Sequence, residues 1–574
     1  MIRWPVPPGT TGDISLIRTN LPASRLDPRD CPLKRSSDAR PMLRADPEAV
    51  QRAEALQDFT LKVFMDAMDL IEHGRMAPEW AIEQLWLTEG TFGLNGRRRA
   101  HPVLLAWTVE AVQSYVAARK ADQQMRQAAG LPATHPVPDK WVVGQDPGQI
   151  DSRGADTYEA TAWGRRYAAQ DGSTRDLWLL SFGATKEDRP EAEKAAAAFV
   201  AARGMPAKGG WKARHTPVPA GALHPGRTTA PERVRVIEFG CGEGTSAELL
   251  DWDRAKVQQR FASDAWPALA RAVDDTRVLP GSSCVDCKAL SGCGELVRSP
   301  GLLQMTPAGP KRARRSVSVT DLRSYRDCPA KYHATRQLKL RTAQPESPEI
   351  RRGRAVDSWL NERHGTHPHG GCRTLPGPAD PSSWISAGLH LVGKEAEDGA
   401  SMLEQHAQVC PLNGLAPGEL VRVQHQVTCY DPELDLVLIA TPDLLYTRRG
   451  GWVWWEMKTA NSRLYEGEPL MASYPQLAMG VLLLAAGVLG GDIARSRVEF
   501  ELLHSDDLTF LELDPSRSQV VSEAREVIAA LARPWADDQL YPATPGRPCG
   551  SCEARNWCRP GSDHLAATVA TEEA

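Results

Sequence analysis

An aspartate and a glutamate-lysine pair lie on two neighbouring segments of the C-terminal half. Asp443 ends the string Ala-Thr-Pro-Asp, and Glu456 and Lys458 follow in a Trp-rich segment after a turn at 448–451. If these segments are adjacent strands, the three side chains project onto one face, because residues two apart in a strand point the same way. Carboxylates supply oxygen ligands for Mg²⁺ or Mn²⁺, and a lysine can orient a water or stabilise a pentacovalent phosphorus. The set therefore predicts metal-dependent phosphodiester hydrolysis.

The Glu-x-Lys string has little meaning alone, since about two such strings arise by chance in a chain of this length. Its context makes it specific. The string ends an apolar run at 451–458, follows Asp443 after a turn, and precedes a helix that begins near Tyr474-Pro475-Gln476.

Cysteines form a second pattern, which occurs twice. Cys328 lies in the string Arg-Asp-Cys-Pro-Ala-Lys, and a C-x2-C-x5-C triplet follows about 220 residues later. Cys31 lies in the similar string Arg-Asp-Cys-Pro-Leu-Lys, which is also followed by such a triplet. The two sets are Cys328 with Cys549, Cys552 and Cys558, and Cys31 with Cys284, Cys287 and Cys293. This repetition indicates a tandem duplication. Thiolate spacing alone suits either zinc or an iron-sulfur cluster.

The elements needed to position these residues follow from apolar periodicity. In the second copy we expect a mixed sheet flanked by helices. The expected helices are 320–327, 347–363, 383–408, 469–488 and 516–533, and the expected strands are 420–429, 434–446, 451–458, 496–504 and 508–513. In the first copy we expect helices at 47–75, 100–128 and 189–203 and strands at 177–182 and 234–239. Both copies are therefore predicted to be α/β domains.

Bulk properties limit the class of protein. A chain of 574 residues is long enough for two to four domains, and its net charge of -4 gives no overall attraction to nucleic acid. Without a secretory signal or an apolar run of about 18 residues, we expect a soluble cytoplasmic protein. In that reducing compartment Cys241, Cys372, Cys410 and Cys429 are expected to be ordinary core or surface thiols.

The C-terminal residues, about 316–562, resemble the RecB-like PD-(D/E)XK nuclease superfamily, in its iron-sulfur subgroup of AddB-like and CRISPR-associated nucleases. The resemblance rests on Asp443, Glu456 and Lys458, on the segment 321–329 with its Tyr-x-x-Cys-Pro, and on the terminal cysteine triplet. It implies a restriction-endonuclease-like fold, a Mg²⁺- or Mn²⁺-dependent active site, and a [4Fe-4S] cluster held by each four-cysteine set. Zinc is the alternative metal for those sets.

Two positions depart from the family pattern. Where the family has a metal-binding histidine in a G-x-x-H helix, this chain has Asp357 four residues after Gly353, so Asp357 is the implied metal ligand beside Asp443 and Glu456. The family's Q-x-x-x-Y motif retains Gln476 but ends in Gly480. Gln476 is therefore implied as a supporting catalytic residue without its tyrosine.

The first copy departs further, because apolar residues and serine occupy the places of a carboxylate and a lysine in 161–164 and 176–182. We therefore expect a degenerate, inactive nuclease-like domain at 1–300, a linker at 301–316, an active domain at 317–562 and a disordered tail at 563–574.

The expected activity is that of a metal-dependent deoxyribonuclease acting on DNA in repair, recombination or defence. The alternative is a noncatalytic nucleic-acid-binding subunit of a larger complex. Since the chain has no G-x-x-x-x-G-K-[ST] loop, any unwinding would need a separate helicase or ATPase partner.

Overall fold

The computed structural model describes residues 4–21, 30–47, 54–87, 98–145, 157–186, 188–210, 213–219, 231–306, 312–342, 344, 346–461, 464–465 and 467–572. Contacts divide the chain into two compact units. Unit 1 comprises Met1–Glu295, Asp327–Ala343 and Gln539–Ala574, and unit 2 comprises Leu296–Arg326 and Gln344–Asp538.

The strands and helices are numbered in chain order. The strands are β1 Thr10–Gly12, β2 Leu16–Leu21, β3 Leu43–Ala45, β4 Thr134–Pro136, β5 Lys140–Gln145, β6 Thr157–Ala162, β7 Arg165–Ala169, β8 Thr174–Ser181, β9 Met205–Lys208, β10 Thr216–Pro217, β11 Arg233–Gly240, β12 Thr245–Asp253, β13 Val297–Arg298, β14 Arg315–Val317, β15 Ser383–Ser386, β16 Leu389–Val392, β17 Val421–Val423, β18 Val427–Asp431, β19 Leu436–Ala440, β20 Leu444–Arg448, β21 Gly451–Thr459, β22 Arg497–Leu503 and β23 Leu508–Leu513. The α-helices are α1 Pro32–Asp38, α2 Leu61–Glu72, α3 Pro78–Leu87, α4 Pro102–Ala128, α5 Glu191–Arg203, α6 Arg254–Arg260, α7 Trp266–Asp274, α8 Val319–Asp327, α9 Pro329–Tyr332, α10 Pro348–Thr366, α11 Lys394–Val409, α12 Leu470–Ser473, α13 Pro475–Ala485, α14 Ser518–Asp537 and α15 Arg559–Glu572.

Unit 2 is built on the five-stranded mixed sheet β17-β20-β21-β22-β23. All neighbouring pairs are antiparallel except β21 and β22, which are parallel and are connected through α13. The central strand β21 is buried over its first seven residues, which explains its apolar, Trp-rich sequence. Helices α10 and α11 pack together and join Trp455 and Val453 of this strand in one core.

Unit 1 contains a five-stranded sheet with the same succession of pairings. Its order is β4-β7-β8-β11-β12, again antiparallel except for one parallel pair, β8 and β11. The Ala-rich helix α5 connects that parallel pair and packs on the sheet, as α13 does in unit 2. Each unit also has a second sheet that contains a parallel pair, β2 with β6 in the five-stranded sheet of unit 1 and β14 with β19 in the four-stranded sheet of unit 2.

Several predicted elements are interrupted in the structure. The predicted helix 383–408 is wrong over its first part, where β15 and β16 form a hairpin before α11; Ala387 and Gly388 have positive φ angles of 46° and 75°, which a helix cannot accommodate. The predicted strand 434–446 divides into β19 and β20 at Pro442, and this break places Asp443 at the start of β20. The predicted helix 47–75 is helical only in α2 among the described residues.

The C-terminal segments also differ from expectation. Residues 327–343 and 539–562, predicted as parts of the nuclease domain, group by contact with unit 1. Leu338 and Trp557 pack in the same core as Trp107 of α4, and the Trp557 indole donates a 2.7 Å hydrogen bond to Glu110. The predicted disordered tail instead continues α15 to Glu572.

Candidate active site

The β20–β21 hairpin brings together the first three predicted residues. Leu444 pairs with Trp455 across the hairpin, so Asp443 lies beside Glu456. Glu456 and Lys458 are two residues apart on β21 and share a face. Lys458 Nζ is 3.3 Å from Asp443 Oδ2 and 3.6 Å from Glu456 Oε2.

Main-chain and side-chain donors fix both carboxylates. The Met457 amide donates to Asp443 Oδ2 at 2.8 Å, and Gln424 Nε2 donates to Asp443 Oδ1 at 3.0 Å. The Trp454 indole donates to Glu456 Oε1 at 3.0 Å. Sequence reasoning did not identify Gln424, which lies between β17 and β18 with a positive φ of 47°. The sequence marks Gln424 only as a polar residue between two short apolar runs.

Asp357 reaches the same cluster from helix α10. Asn361 Nδ2, one turn later, donates to Asp357 Oδ2 at 3.1 Å. Burial and the nearby Asp443 charge raise the pKa of Asp357 to about 6. Gly353 explains how the helix approaches the strand, because a Cβ at that position would lie 2.7 Å from Thr459 Oγ1.

The electrostatics of the cluster favour a bound cation. Burial and Asp443 raise the pKa of Glu456 to about 8, although Lys458 opposes this shift. Burial alone would lower the pKa of Lys458, but Asp443 and Glu456 raise it above the ordinary value. Three acidic side chains therefore face a single ammonium. A hard divalent cation with oxygen ligands fits this donor set and would relieve the repulsion among the carboxylates.

Among the described residues, no hydrogen bond joins the Gln476 side-chain nitrogen to the cluster. Gln476 lies at the start of α13, and within the described part of the chain its buried Nε2 has no hydrogen-bond partner. Tyr474, just before it, packs on Phe500 with ring centroids 4.5 Å apart.

The corresponding hairpin of unit 1, β7–β8, carries different chemistry. Arg165 pairs with Trp178 there as Leu444 pairs with Trp455, so Gly164, Leu179 and Ser181 occupy the positions of Asp443, Glu456 and Lys458. Ser181 instead hydrogen-bonds to Glu238 of β11.

Glu238 is fully buried and forms an ion pair with Arg189, whose Nε lies 2.7 Å from Glu238 Oε2. Arg189 thus pairs with the carboxylate that Ser181 contacts, and it also pairs with Glu193. That unit 1 lacks a site for a divalent cation stays a prediction.

The second cysteine set surrounds one pocket. Cys328, Cys549, Cys552 and Cys558 all line one pocket, together with small and apolar residues such as Ala330 and Gly561. Cys328 precedes α9, and the Thr544 amide donates to its sulfur at 3.4 Å. Burial raises the pKa of the Cys552 and Cys558 thiols.

The first cysteine set repeats this local geometry. Cys31 precedes α1, and the Leu279 amide donates to its sulfur at 3.4 Å. Leu279 stands five residues before Cys284, as Thr544 stands five residues before Cys549.

Within each triplet, a glycine amide donates to the first cysteine sulfur, Gly281 to Cys284 at 3.4 Å and Gly546 to Cys549 at 3.5 Å. Burial raises the pKa of Cys287 to about 12. A hydrogen bond from the Ala289 amide opposes this shift, and the nearby Cys284 and Cys31 add to it. Cys293 follows a 3-10 turn, Leu290–Gly292, as Cys558 follows Arg555–Trp557.

The expectation that Cys372 and Cys410 are ordinary thiols is wrong in one respect. Together with His364 and His406 they form a buried group whose ligand atoms all lie within 4.8 Å of one another, an arrangement that could hold a metal ion. Cys241 and Cys429 belong to no such group among the described residues.

Comparison with known families finds a match in the C-terminal half of the chain. Residues 316–559 match the model of the PD-(D/E)XK nuclease superfamily. This region is therefore similar to a superfamily whose members are generally nucleases that use divalent metals. A search of curated proteins finds no match. Among the described residues, no helix has the length and apolar character needed to cross a membrane.

Proposed function

We propose that this protein is a metal-dependent deoxyribonuclease whose active site is formed by Asp357, Asp443, Glu456 and Lys458. The observation that carries the proposal is the convergence of these residues: Lys458 Nζ lies within 3.6 Å of two carboxylates, and Asp357 is close enough to Asp443 for its pKa to rise. A structural ion pair alone would need only one acid for one lysine.

Each residue has a defined role in this proposal. Asp357, Asp443 and Glu456 would hold Mg²⁺ or Mn²⁺, which when bound supplies charge stabilisation at the scissile phosphate. Asp443 also accepts the Met457 amide, which keeps its carboxylate directed at the cluster. Lys458 orients the attacking water and stabilises negative charge that develops on the phosphate. Gln476 supports the site from α13, where its buried Nε2 is available to a bound phosphate or water.

Unit 1 is proposed to be a degenerate copy of the same fold. Its sheet has the same succession of pairings as the sheet of unit 2, and Gly164, Leu179 and Ser181 occupy the catalytic positions. This supports a tandem duplication in which unit 1 acts as a scaffold or DNA clamp.

Each four-cysteine set is proposed to bind a [4Fe-4S] cluster. A single zinc ion with bonds of about 2.3 Å would bring four sulfurs to about 3.8 Å from one another. Among the described residues, neither cysteine set gathers its ligand atoms within 4.8 Å, whereas the His/Cys group does. The wider spacing supports a four-iron cluster over zinc.

The proposal is tested by incubating purified protein with labelled single-stranded DNA, double-stranded DNA and RNA, in Mg²⁺, Mn²⁺ or EDTA. We expect cleavage of DNA that requires the divalent cation and is absent from the Lys458→Ala variant. Binding of DNA without cleavage in either metal would favour the alternative, a noncatalytic nucleic-acid-binding subunit. The preferred DNA ends would then indicate whether the protein acts in repair, recombination or defence. They would also indicate whether a helicase or ATPase partner should be added to the assay.

A further inference from the structure

A second cluster of possible ligands lies in unit 2, on residues that the proposed reaction does not use. The His/Cys group consists of His364 on α10, Cys372 in the following loop, His406 in the last turn of α11, and Cys410 just after that helix. All four side chains are buried, with at most 3% of each residue exposed.

The distances within the group match tetrahedral coordination. His364 Nε2 lies 3.2 Å from His406 Nε2, 3.4 Å from Cys372 Sγ and 3.5 Å from Cys410 Sγ. Bonds of about 2.0–2.1 Å to nitrogen and about 2.3 Å to sulfur, at tetrahedral angles, require about 3.3 Å between nitrogens and about 3.6 Å between nitrogen and sulfur.

Hydrogen bonding within the protein does not account for this convergence. Three polar atoms approach the single Nε2 of His364, yet one ring nitrogen can donate only one proton. The other ring nitrogen, Nδ1, is buried and has no hydrogen-bond partner in the described ranges. A cation at the centre would be bound by the lone pairs that otherwise face one another.

A carboxylate orients one of the two imidazoles. Both oxygens of Glu501 on β22 lie 3.0–3.1 Å from His406 Nδ1, and Glu501 is fully buried. This bond places the proton of His406 on Nδ1 and leaves Nε2 free to bind a metal, which is the usual arrangement around zinc-binding histidines. Trp455 packs edge-on against both imidazole rings and excludes water from the group.

We infer that the His/Cys group is a structural zinc site, with His364, Cys372, His406 and Cys410 as its four ligands. Two thiolates and two imidazoles in a closed tetrahedral set favour Zn²⁺ over Mg²⁺ or Mn²⁺, which prefer oxygen ligands. No further ligand position is left open for a substrate, so the role of the metal is structural.

The position of the site suggests what it stabilises. His364 lies seven residues after Asp357, two turns along the same face of α10. The zinc would join α10 to α11 and, through Glu501, to β22. It would thereby hold the helix that carries Asp357 against the sheet that carries Glu456.

The site is tested by zinc analysis of the full chain, purified anaerobically and dialysed against a mild chelator. Cys410→Ser should contain one zinc equivalent less than the wild type, whereas Cys429→Ser, which changes a buried cysteine elsewhere in the same unit, should lose none. Equal zinc content in the wild type and the Cys410→Ser variant would overturn the assignment. The difference between variants excludes any zinc held by the other cysteine sets.

Two further measurements do not depend on folding of the Cys410→Ser variant. X-ray absorption at the zinc edge of the wild type should include a shell of imidazole nitrogens at about 2.0–2.1 Å beside sulfur at about 2.3 Å; absence of zinc, or a shell of sulfur alone, would contradict the proposal. Glu501→Gln keeps all four ligands but removes the carboxylate, and it should weaken zinc affinity about 10–100-fold in chelator competition.

Discussion

Lys458 Nζ lies 3.3 Å from Oδ2 of Asp443, the same oxygen that accepts the Met457 amide. The hairpin register creates this relationship, since Asp443 immediately precedes β20 and Lys458 lies on the paired strand β21. The ammonium is thus held between Asp443 and Glu456.

Lys458→Ala and Glu456→Ala should each reduce cleavage by at least about 10²–10³-fold, because each removes a charge stabiliser or a metal ligand. The folded content, measured by circular dichroism, should remain near the wild-type level. Lys394→Ala, which changes an exposed lysine of unit 2, is the matched control and should retain full activity. Undiminished cleavage in both active-site variants would refute the assignment.

Glu456→Gln should make the metal-free protein more stable at alkaline pH. The pKa of Glu456 is raised from 4.5 to about 8 in the folded state, chiefly by burial and Asp443. A protonated Glu456 therefore contributes stability that is fully present below pH about 4.5 and is lost as the pH rises through about 8. In EDTA, the wild-type Tm should fall across this range more steeply than that of Glu456→Gln.

Added Mg²⁺ is the control for this pH effect. The cation should raise the Tm of the wild type at pH about 8, where it competes successfully with the proton, and should raise that of Glu456→Gln less. Parallel pH profiles for the two proteins in EDTA would show that Glu456 does not carry the shifted pKa.

Anaerobically purified protein should be brown, absorb broadly near about 400 nm and contain about eight iron atoms per chain. Cys328→Ser should lower the iron content by about four and destabilise the fold, because the cluster joins segments about 220 residues apart. Cys284→Ser should remove the other four. Cys241→Ser, at a buried cysteine outside both sets, should change neither iron content nor colour.

Two metal contents other than eight irons would also be informative about the cysteine sets. Colourless protein with stoichiometric zinc in both sets would exclude iron-sulfur clusters while leaving the nuclease proposal unaffected. About four irons in the wild type would mean that only one set retains its cluster, and the two serine variants would then identify which one.

Asp176→Asn should destabilise unit 1 without changing the chemical step. Asp176 is fully buried, accepts a 3.0 Å bond from Thr134, and lies 3.5 Å from Arg126 and 3.9 Å from Arg235. Removing its charge leaves buried arginines less well paired and should cost about 3 kcal/mol of unfolding free energy.

Asp171→Asn provides the matched control for Asp176. Asp171 lies in the exposed turn of the same hairpin, where it accepts bonds only from Ser173 among the described residues. Neither variant should lower the turnover of the folded protein. A large loss of turnover with DNA binding retained would indicate a second active centre in unit 1.

Chemistry that depends on short spacing can be predicted from the order of the amino acids. Glu456 and Lys458 share a face because strands repeat every two residues, and each cysteine triplet forms its turn from ten consecutive residues. The helices and strands of unit 2 were also predictable in outline, since apolar runs and helical periodicity alternate along this half of the chain. The departure at Asp357 was visible only through resemblance to a family.

Contacts between side chains that are distant in the sequence depend on how the helices and strands pack. His364 and His406 are 42 residues apart on different helices, and only the packing of α10 against α11 brings their ring nitrogens to 3.2 Å. Likewise, the ion pair of Arg189 with Glu238 joins a loop to β11, and the segments with Cys328 and Cys549 pack with unit 1. Such contacts depend on how whole elements bury their apolar faces, and no local spacing in the chain encodes that arrangement.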